Sequence, residues 1–318
     1  MGWTPCRPDN RGMQALIDAV ASAHLSADAC RVFHGRGGLY PGCEDWTLDW
    51  YPPVWVATHF GDAPAAEVQA LGEALAARWA QIGQGQPLNW VLQRRQPDGP
   101  ASRAVTELMA GSVPEPHVVT EDGARYRVNV LKGQNRGLFL DMAEGRRWVR
   151  QHAQGAKVLN LFAYTCAFSV AALQGGAREV VNLDMAQGAL TTGQQNHQLN
   201  GFNGRAKFLA HDLFNSWGKV NRLGPYDLVI MDPPSYQKGS FVAGKDWPRL
   251  LRRLPDLLMP GGHALICLNA PEIPEAVLRE QLAQEAPAMV VEQRLPNPPA
   301  FADVSPDRAL KVLVARLG

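Results

Sequence analysis

The chain has 318 residues, 46% of them apolar, with a formal net charge of +1. That length suggests two domains, each with enough apolar material for a core. No run of about 18 apolar residues occurs, so no membrane-spanning helix is expected, and the opening MGWTPCRPDNRG lacks the basic and apolar regions of a secretory signal.

Residues 10–26 read as a helix, with Asn10 as N-cap and Leu16, Ile17 and Val20 at helical spacing. RVFHGRGGLYPG supplies two Gly-rich turns, and TLDWYPPVWVATHF reads as strands broken at Pro52 and Pro53. Residues 64–82, rich in Ala, Leu and Glu, predict a helix, and LNWVLQRR a strand. In HVVTEDGARYRVNV, Asp122-Gly123 sits between two β-prone runs, which predicts a hairpin. These elements make a small α+β domain over 1–135, a possible substrate-binding domain. Trp46, Trp50 and Trp55 are expected in its core rather than as base platforms.

From about residue 146 the rhythm changes to alternating strand and helix, and the second domain is placed at 136–318. Strands are expected at KVLNLF, EVVNLD, AKFLA, YDLVIMD and HALICLN, the last after a turn at PGG. Helices are expected at CAFSVAALQ, at AQGALTTGQQNHQLNG and near 213–222. WPRLLRRLPDLLM should be a basic helix with Pro248 in its first turn and a break at Pro255. A helix near 275–284 and strands at AMVVEQRL and LKVLVARL finish the chain. Such repetition predicts an α/β domain with a mostly parallel, Rossmann-like sheet covered by helices on both faces, its last strand antiparallel.

Charge is unevenly spread. Residues 146–253 carry 14 basic and 6 acidic side chains, while the segments before and after carry small negative excesses. The block would attract a polyanion such as RNA, or it is simply a solvated basic surface. The five cysteines, Cys6, Cys30, Cys43, Cys166 and Cys267, show no Cys-x-x-Cys spacing. No metal site is expected, and reduced thiols in the cytoplasm fit best. Gly2 starts no myristoylation pattern, because Cys6 stands where Ser or Thr is required.

In open α/β sheets ligands bind beyond the carboxyl ends of the strands. Polar residues stand at four such ends: Asn160 with Phe162, Tyr164 and Thr165 after the first; Asp184 with Met185 after the second; His211-Asp212 after the third; and Asp232-Pro233-Pro234-Ser235-Tyr236 after the fourth. A carboxylate ending the second strand can accept both ribose hydroxyls of a nucleoside, and an acid after the third can bond an exocyclic amine of adenine. Helix N-terminal amides after the first can hold a carboxylate. Solvated loops also end strands in polar residues; it is the four together, in order, that favour a nucleoside ligand. Asp232-Pro-Pro is the most specific local signal: two prolines fix a rigid loop with few free amides, able to hold a planar base, with Tyr236 available to stack. Lys238 and Lys245 flank that loop and could contact phosphate, or are ordinary loop lysines. No Gly-x-Gly-x-x-Gly follows the first strand, which argues against a nicotinamide dehydrogenase.

On these residues the sequence resembles the large-subunit rRNA methyltransferases that modify cytosine carbon-5 or guanine nitrogen-7. Leu159 to Phe168 resembles their LNLFxYTGxF motif, Asp232-Pro-Pro-Ser-Tyr their fourth motif, and Gly137 to Asp141 their GxFLD loop; the Arg31–Tyr51 stretch is similar to their central α+β domain. The resemblance spans about 30–318 and implies a class I fold and an RNA substrate. It also implies S-adenosylmethionine (SAM) bound by the first-motif loop, Phe139, Asp184, Asp212 and Asp232. Three departures stand out. Cys166 replaces a Gly expected at positive φ, Met142-Ala143 follow Asp141 where an Arg is usual (with Arg146 and Arg147 nearby), and too few residues precede the shared region for an N-terminal PUA domain.

Methylation at cytosine carbon-5 needs a Cys nucleophile, and the resemblance implies a place for it near the end of the fifth strand. There Asn269 occupies the slot and Cys267 lies two residues earlier. The expected acceptor is therefore a ring nitrogen such as guanine N7, which needs positioning rather than covalent activation, with Asn269 bonding the base edge. A protein or small-molecule acceptor, or an inactive RNA-binding relative, are the alternatives.

Overall fold

A computed structural model describes residues 13–95, 104–237 and 241–318. The chain divides into two compact units: Met1–Thr120 with Val128–Arg136 and Pro299–Val304, and Glu121–Arg127 with Gly137–Pro298 and Ser305–Gly318. The division is interleaved, whereas the sequence reading places one boundary between 135 and 136.

In the first unit the helices are α1 (Gln14–Ser22) and α2 (Ala65–Ile82). The strands are β1 (Cys30–His34), β2 (Trp46–Tyr51), β3 (Val54–His59), β4 (Trp90–Arg95) and β5 (Ala104–Ala110). The strands lie in the order β1-β2-β3-β4-β5. Helix α1 is shorter than expected because the chain turns extended at Ala23; Asn10 lies outside the described residues. The sequence reading assigned no element to β5, whose Val105, Leu108 and Met109 are exposed on a sheet edge and give no inward-facing pattern. Trp46, Trp50, Trp55 and Trp90 are all buried in one cluster with Leu71 and Leu75 of α2. They are core residues, held there by the burial of large rings. Asp122-Gly123 joins β6 (His117–Glu121) to β7 (Ala124–Val128) as the expected hairpin.

The second unit runs α3 (Ala143–His152), β8 (Lys157–Leu161), α4 (Ala167–Gln174), β9 (Glu179–Asp184), α5 (Gln187–Leu199), β10 (Ala206–Ala210), α6 (Trp217–Leu223) and β11 (Tyr226–Met231). After the short pair β12 (Tyr236–Gln237) and β13 (Phe241–Val242) come α7 (Ala243–Leu251), α8 (Leu254–Leu257), β14 (Leu258–Leu268), α9 (Glu275–Glu285), β15 (Met289–Leu295) and β16 (Lys311–Leu317). The sheet order is β10-β9-β8-β11-β14-β16-β15. Pairing is parallel from β10 through β14, and β16 is antiparallel to both its neighbours. Only the last strand in the chain therefore runs against the others, as the sequence suggests. Two apolar clusters fill the two faces: Leu159, Val181 and Ile266 belong to one, Val158, Val180 and Leu265 to the other. Alternation at period 2 divides each strand between the two helical layers, giving a doubly covered, Rossmann-like sheet.

Two local expectations fail. Pro248 lies inside α7 rather than in its first turn, because the helix begins at Ala243, where the Asp246 carboxylate accepts the Val242 N–H at 2.9 Å. The PGG sequence is not a turn before β14 but part of it. Gly261 takes φ 76° there, and the pairing to β11 slips between Tyr226↔Leu258 and Leu228↔His263.

Candidate active site

The order in which strands are added reverses between the parallel neighbours β8 and β11, the position where such sheets leave a crevice at their carboxyl ends. The loop after β8 has an unusual backbone. Phe162, Tyr164 and Cys166 take φ values of 56°, 47° and 62°. For non-glycine residues each such conformation costs about 1 kcal/mol. The sequence anticipated this at Cys166 but not at Phe162 or Tyr164.

Hydrogen bonds hold the loop. Ala163 N–H donates to Leu183 O at 3.0 Å and Cys166 N–H to Ala163 O at 2.7 Å. Tyr164 N–H donates to Asp184 Oδ2 at 2.8 Å, and Ala186 N–H to Asp184 Oδ1 at the same distance. Asp184 therefore fastens the loops after β8 and β9, and each oxygen keeps a further lone pair for a ligand hydroxyl. Thr165 is buried, and its hydroxyl donates to Gly137 O. That side chain ties the loop to the Gly137–Asp141 segment rather than facing a ligand. Phe139 and Met185 are large apolar side chains left exposed, and the Phe139 ring lies 5.5 Å from that of Tyr164. Phe162 instead packs edge-on against the buried Phe241. Asn160 is buried, its Nδ2 donating to Asn182 Oδ1 at 2.9 Å, while its Oδ1 has no protein partner.

Asp212 caps the turn after β10: its oxygens accept Phe214 N–H at 2.9 Å and Asn215 Nδ2–H at 2.8 Å. His211 Nε2 lies 2.7 Å from Lys219 Nζ, which engages its ring on the α6 side.

The loop after β11 is built differently. Asp232 is partly and Pro233 fully buried, whereas Pro234 is exposed. Ser235 Oγ donates to the main-chain oxygen of Asn269, joining this loop to the end of β14. Asn269 itself is exposed. Burial raises the Asp232 carboxyl to about 7; the charge of Asp141 adds to the rise and that of Arg146 opposes it. Tyr236 sits in β12, paired with Val242 of β13; its side chain and all of Lys238 lie outside the described residues.

Behind this end of the sheet, Arg146 is buried and makes a two-pronged ion pair with Glu121, at 2.6 and 2.7 Å. It also donates to Phe139 O at 2.8 Å. Arg146 thus supports the segment that the sequence aligned with GxFLD, in the region where the expected Arg is missing. Glu121 escaped the sequence reading because nothing local marks a carboxylate 25 residues upstream as its partner. A second missed residue is Lys311, fully buried at the start of β16, whose Nζ donates to Ala270 O at 2.9 Å and Asp307 O at 2.6 Å. It pins the main chain next to Asn269.

Cys267 is fully buried, and its thiol is pushed well above the ordinary range by burial, then by the charges of Asp232 and Asp141. A thiolate there is disfavoured. Among the described residues no group of His, Cys, Asp and Glu is arranged to hold a metal, and no helix is long and apolar enough to cross a membrane.

Comparison with known proteins agrees with this fold. The fold is shared with a SAM-dependent methyltransferase structure from Streptococcus mutans, at TM-score 0.81 and 23% identity over 99% of this chain and 84% of that one. A methyltransferase solved with S-adenosylhomocysteine (SAH) superposes at TM-score 0.78 and 23% identity, covering 96% and 79%. Ribosomal RNA large subunit methyltransferase K/L of Psychrobacter sp. (strain PRwf-1) is 38% identical over 170 residues, 51% of this chain and 21% of that protein. Ribosomal RNA large subunit methyltransferase I of Aeromonas salmonicida (strain A449) is 32% identical over 187 residues, 57% and 47%. The matches thus span under half the length of either relative. Residues 30–316 match the S-adenosylmethionine-dependent methyltransferase family, and the chain belongs to that family.

Proposed function

We propose that this chain transfers the methyl group of SAM to a ring nitrogen of a base in ribosomal RNA, guanine N7 being the preferred acceptor over cytosine C5, in the cytoplasm. The relatives named for ribosomal RNA methylation support the substrate class. The residues present suit SAM. Asp184 offers carboxylate lone pairs to the ribose hydroxyls and Asp212 to the adenine amine, Phe139 and Met185 offer apolar surface, and Asn160 offers a buried acceptor. When bound, SAM supplies an electrophilic methyl on a sulfonium.

The chain's own residues then place the acceptor. The Asp232-Pro233-Pro234-Ser235 loop fixes one edge of the base, with Tyr236 and Lys238 as further base and phosphate contacts, and Ser235 keeps it in register with Asn269. Guanine N7 carries its own lone pair, so orientation is sufficient and no thiol addition is needed. The observation that carries this reading is made at the end of β14, where Asn269 stands at the slot and Cys267 is buried with a raised pKa, so that strand end offers no usable thiol. Asp232, poised near neutrality, is an acceptor for a base N–H and not a nucleophile.

The test is transfer of labelled methyl from SAM to rRNA from cells lacking the gene, followed by mapping of the modified nucleotide. Label on a guanine supports the proposal. Label on cytosine C5 overturns the acceptor, and no label in RNA with SAH bound points to a protein or small-molecule acceptor. If neither occurs, the chain is an inactive relative.

A further inference from the structure

The loop after β8 holds three strained residues, and strain of this kind persists only where surrounding structure imposes it. The buried face of α5 meets the loop at two positions, Gly193 and Asn196, and a third residue of that face, His197, reaches β8 through a chain of hydrogen bonds. The first is Gly193. A Cβ built there would stand 2.5 Å from Cys166 Sγ, 3.0 Å from Cys166 Cβ and 3.3 Å from Thr165 O. Only a glycine at 193 leaves room for a side chain at 166, so the two departures from ordinary composition answer each other. Cys166 is fully buried and its thiol is pushed well up by burial, so it acts as packing volume rather than as a reactive group.

The second position is Asn196, fully buried, whose Nδ2 donates to Thr165 O at 2.9 Å while its Oδ1 accepts Arg127 N–H at 2.8 Å. The third residue is His197. Its Nδ1 lies 2.7 Å from Gly193 O, which can only accept, so Nδ1 carries the hydrogen. Burial lowers the ring's pKa and keeps it neutral, so Nε2 accepts from the Ser169 hydroxyl at 2.8 Å. Ser169 Oγ in turn accepts Asn182 Nδ2–H at 3.0 Å, and Asn182 Oδ1 accepts Asn160 Nδ2–H at 2.9 Å. Donation runs one way from β8 to α5. It fixes the Asn160 amide with Oδ1 as its unpartnered acceptor.

We propose that Gly193 and Asn196 of α5 are positioning residues that impose the shape of the loop after β8 in which SAM is received, Gly193 being the partner that permits Cys166, while His197 sets the orientation of the Asn160 amide beside it. This deepens the functional reading and rests on it.

The test is a double-mutant cycle on SAH affinity, measured by calorimetry well below the Tm of every variant so that global unfolding does not contribute. Wild type binds SAH, and Gly193→Ala weakens binding about tenfold or more, whereas in a Cys166→Gly background the same change costs about threefold or less. Equal losses in the two backgrounds, or no loss in either, overturn the proposal. Wild-type protein that fails to bind SAH overturns the functional reading itself, a different result. Should Gly193→Ala not fold, Asn196→Asp serves: it keeps the acceptor for Arg127 N–H but sets an oxygen against Thr165 O. It should raise KM for SAM about tenfold with kcat changed little; unchanged KM with lowered Tm makes Asn196 merely structural and sinks the idea.

Discussion

Two loops at the carboxyl ends of the neighbouring strands β8 and β11 reach fixed shapes by opposite means. The loop at 162–166 is strained, with left-handed Phe162, Tyr164 and Cys166, and is held from outside by Asp184, Gly137 and α5. The loop at 232–235 draws its rigidity from its own covalent structure, since two prolines restrict the backbone before any contact forms. The first shape is therefore sensitive to residues distant in sequence, whereas the second is sensitive mainly to its own. Strain imposed from outside can be lost by a change thirty residues away; a proline loop cannot.

That contrast can be broken experimentally. The largest effect is expected at Asp232. Asp232→Ala should lower kcat by about a thousandfold or more while the Tm is kept or raised, because the loop's shape does not depend on this carboxylate. A variant that unfolds, or one with full activity, removes Asp232 from the site. Next is the support of the Gly137–Asp141 segment. Glu121→Gln leaves the buried Arg146 guanidinium without its counter-charge and should cost about 3–5 kcal/mol of stability. A denaturant midpoint unmoved from wild type would show the pair to be dispensable.

The third prediction concerns pH. The Asp232 carboxyl titrates near 7 in the fold and near 4 when unfolded. Between these values the native chain binds the extra proton, so this group lowers stability progressively as pH rises from about 4 to about 7. Asp232→Asn should therefore exceed wild type in stability at pH 8 by about 2 kcal/mol, roughly half of what a three-unit shift would give without solvent screening. At pH 4 the two should be nearly equal. An advantage that grows on acidification would reverse the assigned environment.

A smaller effect is expected at Thr165. Thr165→Val removes the donor to Gly137 O and should cost about 1–2 kcal/mol; SAH affinity should fall with it, since the strained loop loses an external tie. Affinity held at the wild-type level would mean that the other ties suffice. The smallest effect belongs to Cys267→Ser, which should keep methyl transfer within about twofold, because a buried thiol of raised pKa takes no part in ring-nitrogen chemistry. Complete loss, with a trapped RNA adduct in the wild type, would restore a carbon-5 mechanism.

Sequence periodicity alone determined the second unit's strand–helix rhythm and the order in which Asn160, Asp184, Asp212 and Asp232 arrive at strand ends, whereas the direction of its last strand was an expectation that the pairing bears out. The rhythm and that order are local properties: a run of β-branched residues makes a strand wherever it is placed, and a polar residue ends it where burial stops. Only the tertiary structure decided that Thr165 faces inward to Gly137, that Glu121 neutralises Arg146, that Cys166 fits because residue 193 is glycine, and that Asn160 ends a one-way chain of donors. Each of these joins residues more than twenty positions apart, and no pattern along the chain encodes which side chains fill a shared interior volume or satisfy a shared buried hydrogen bond.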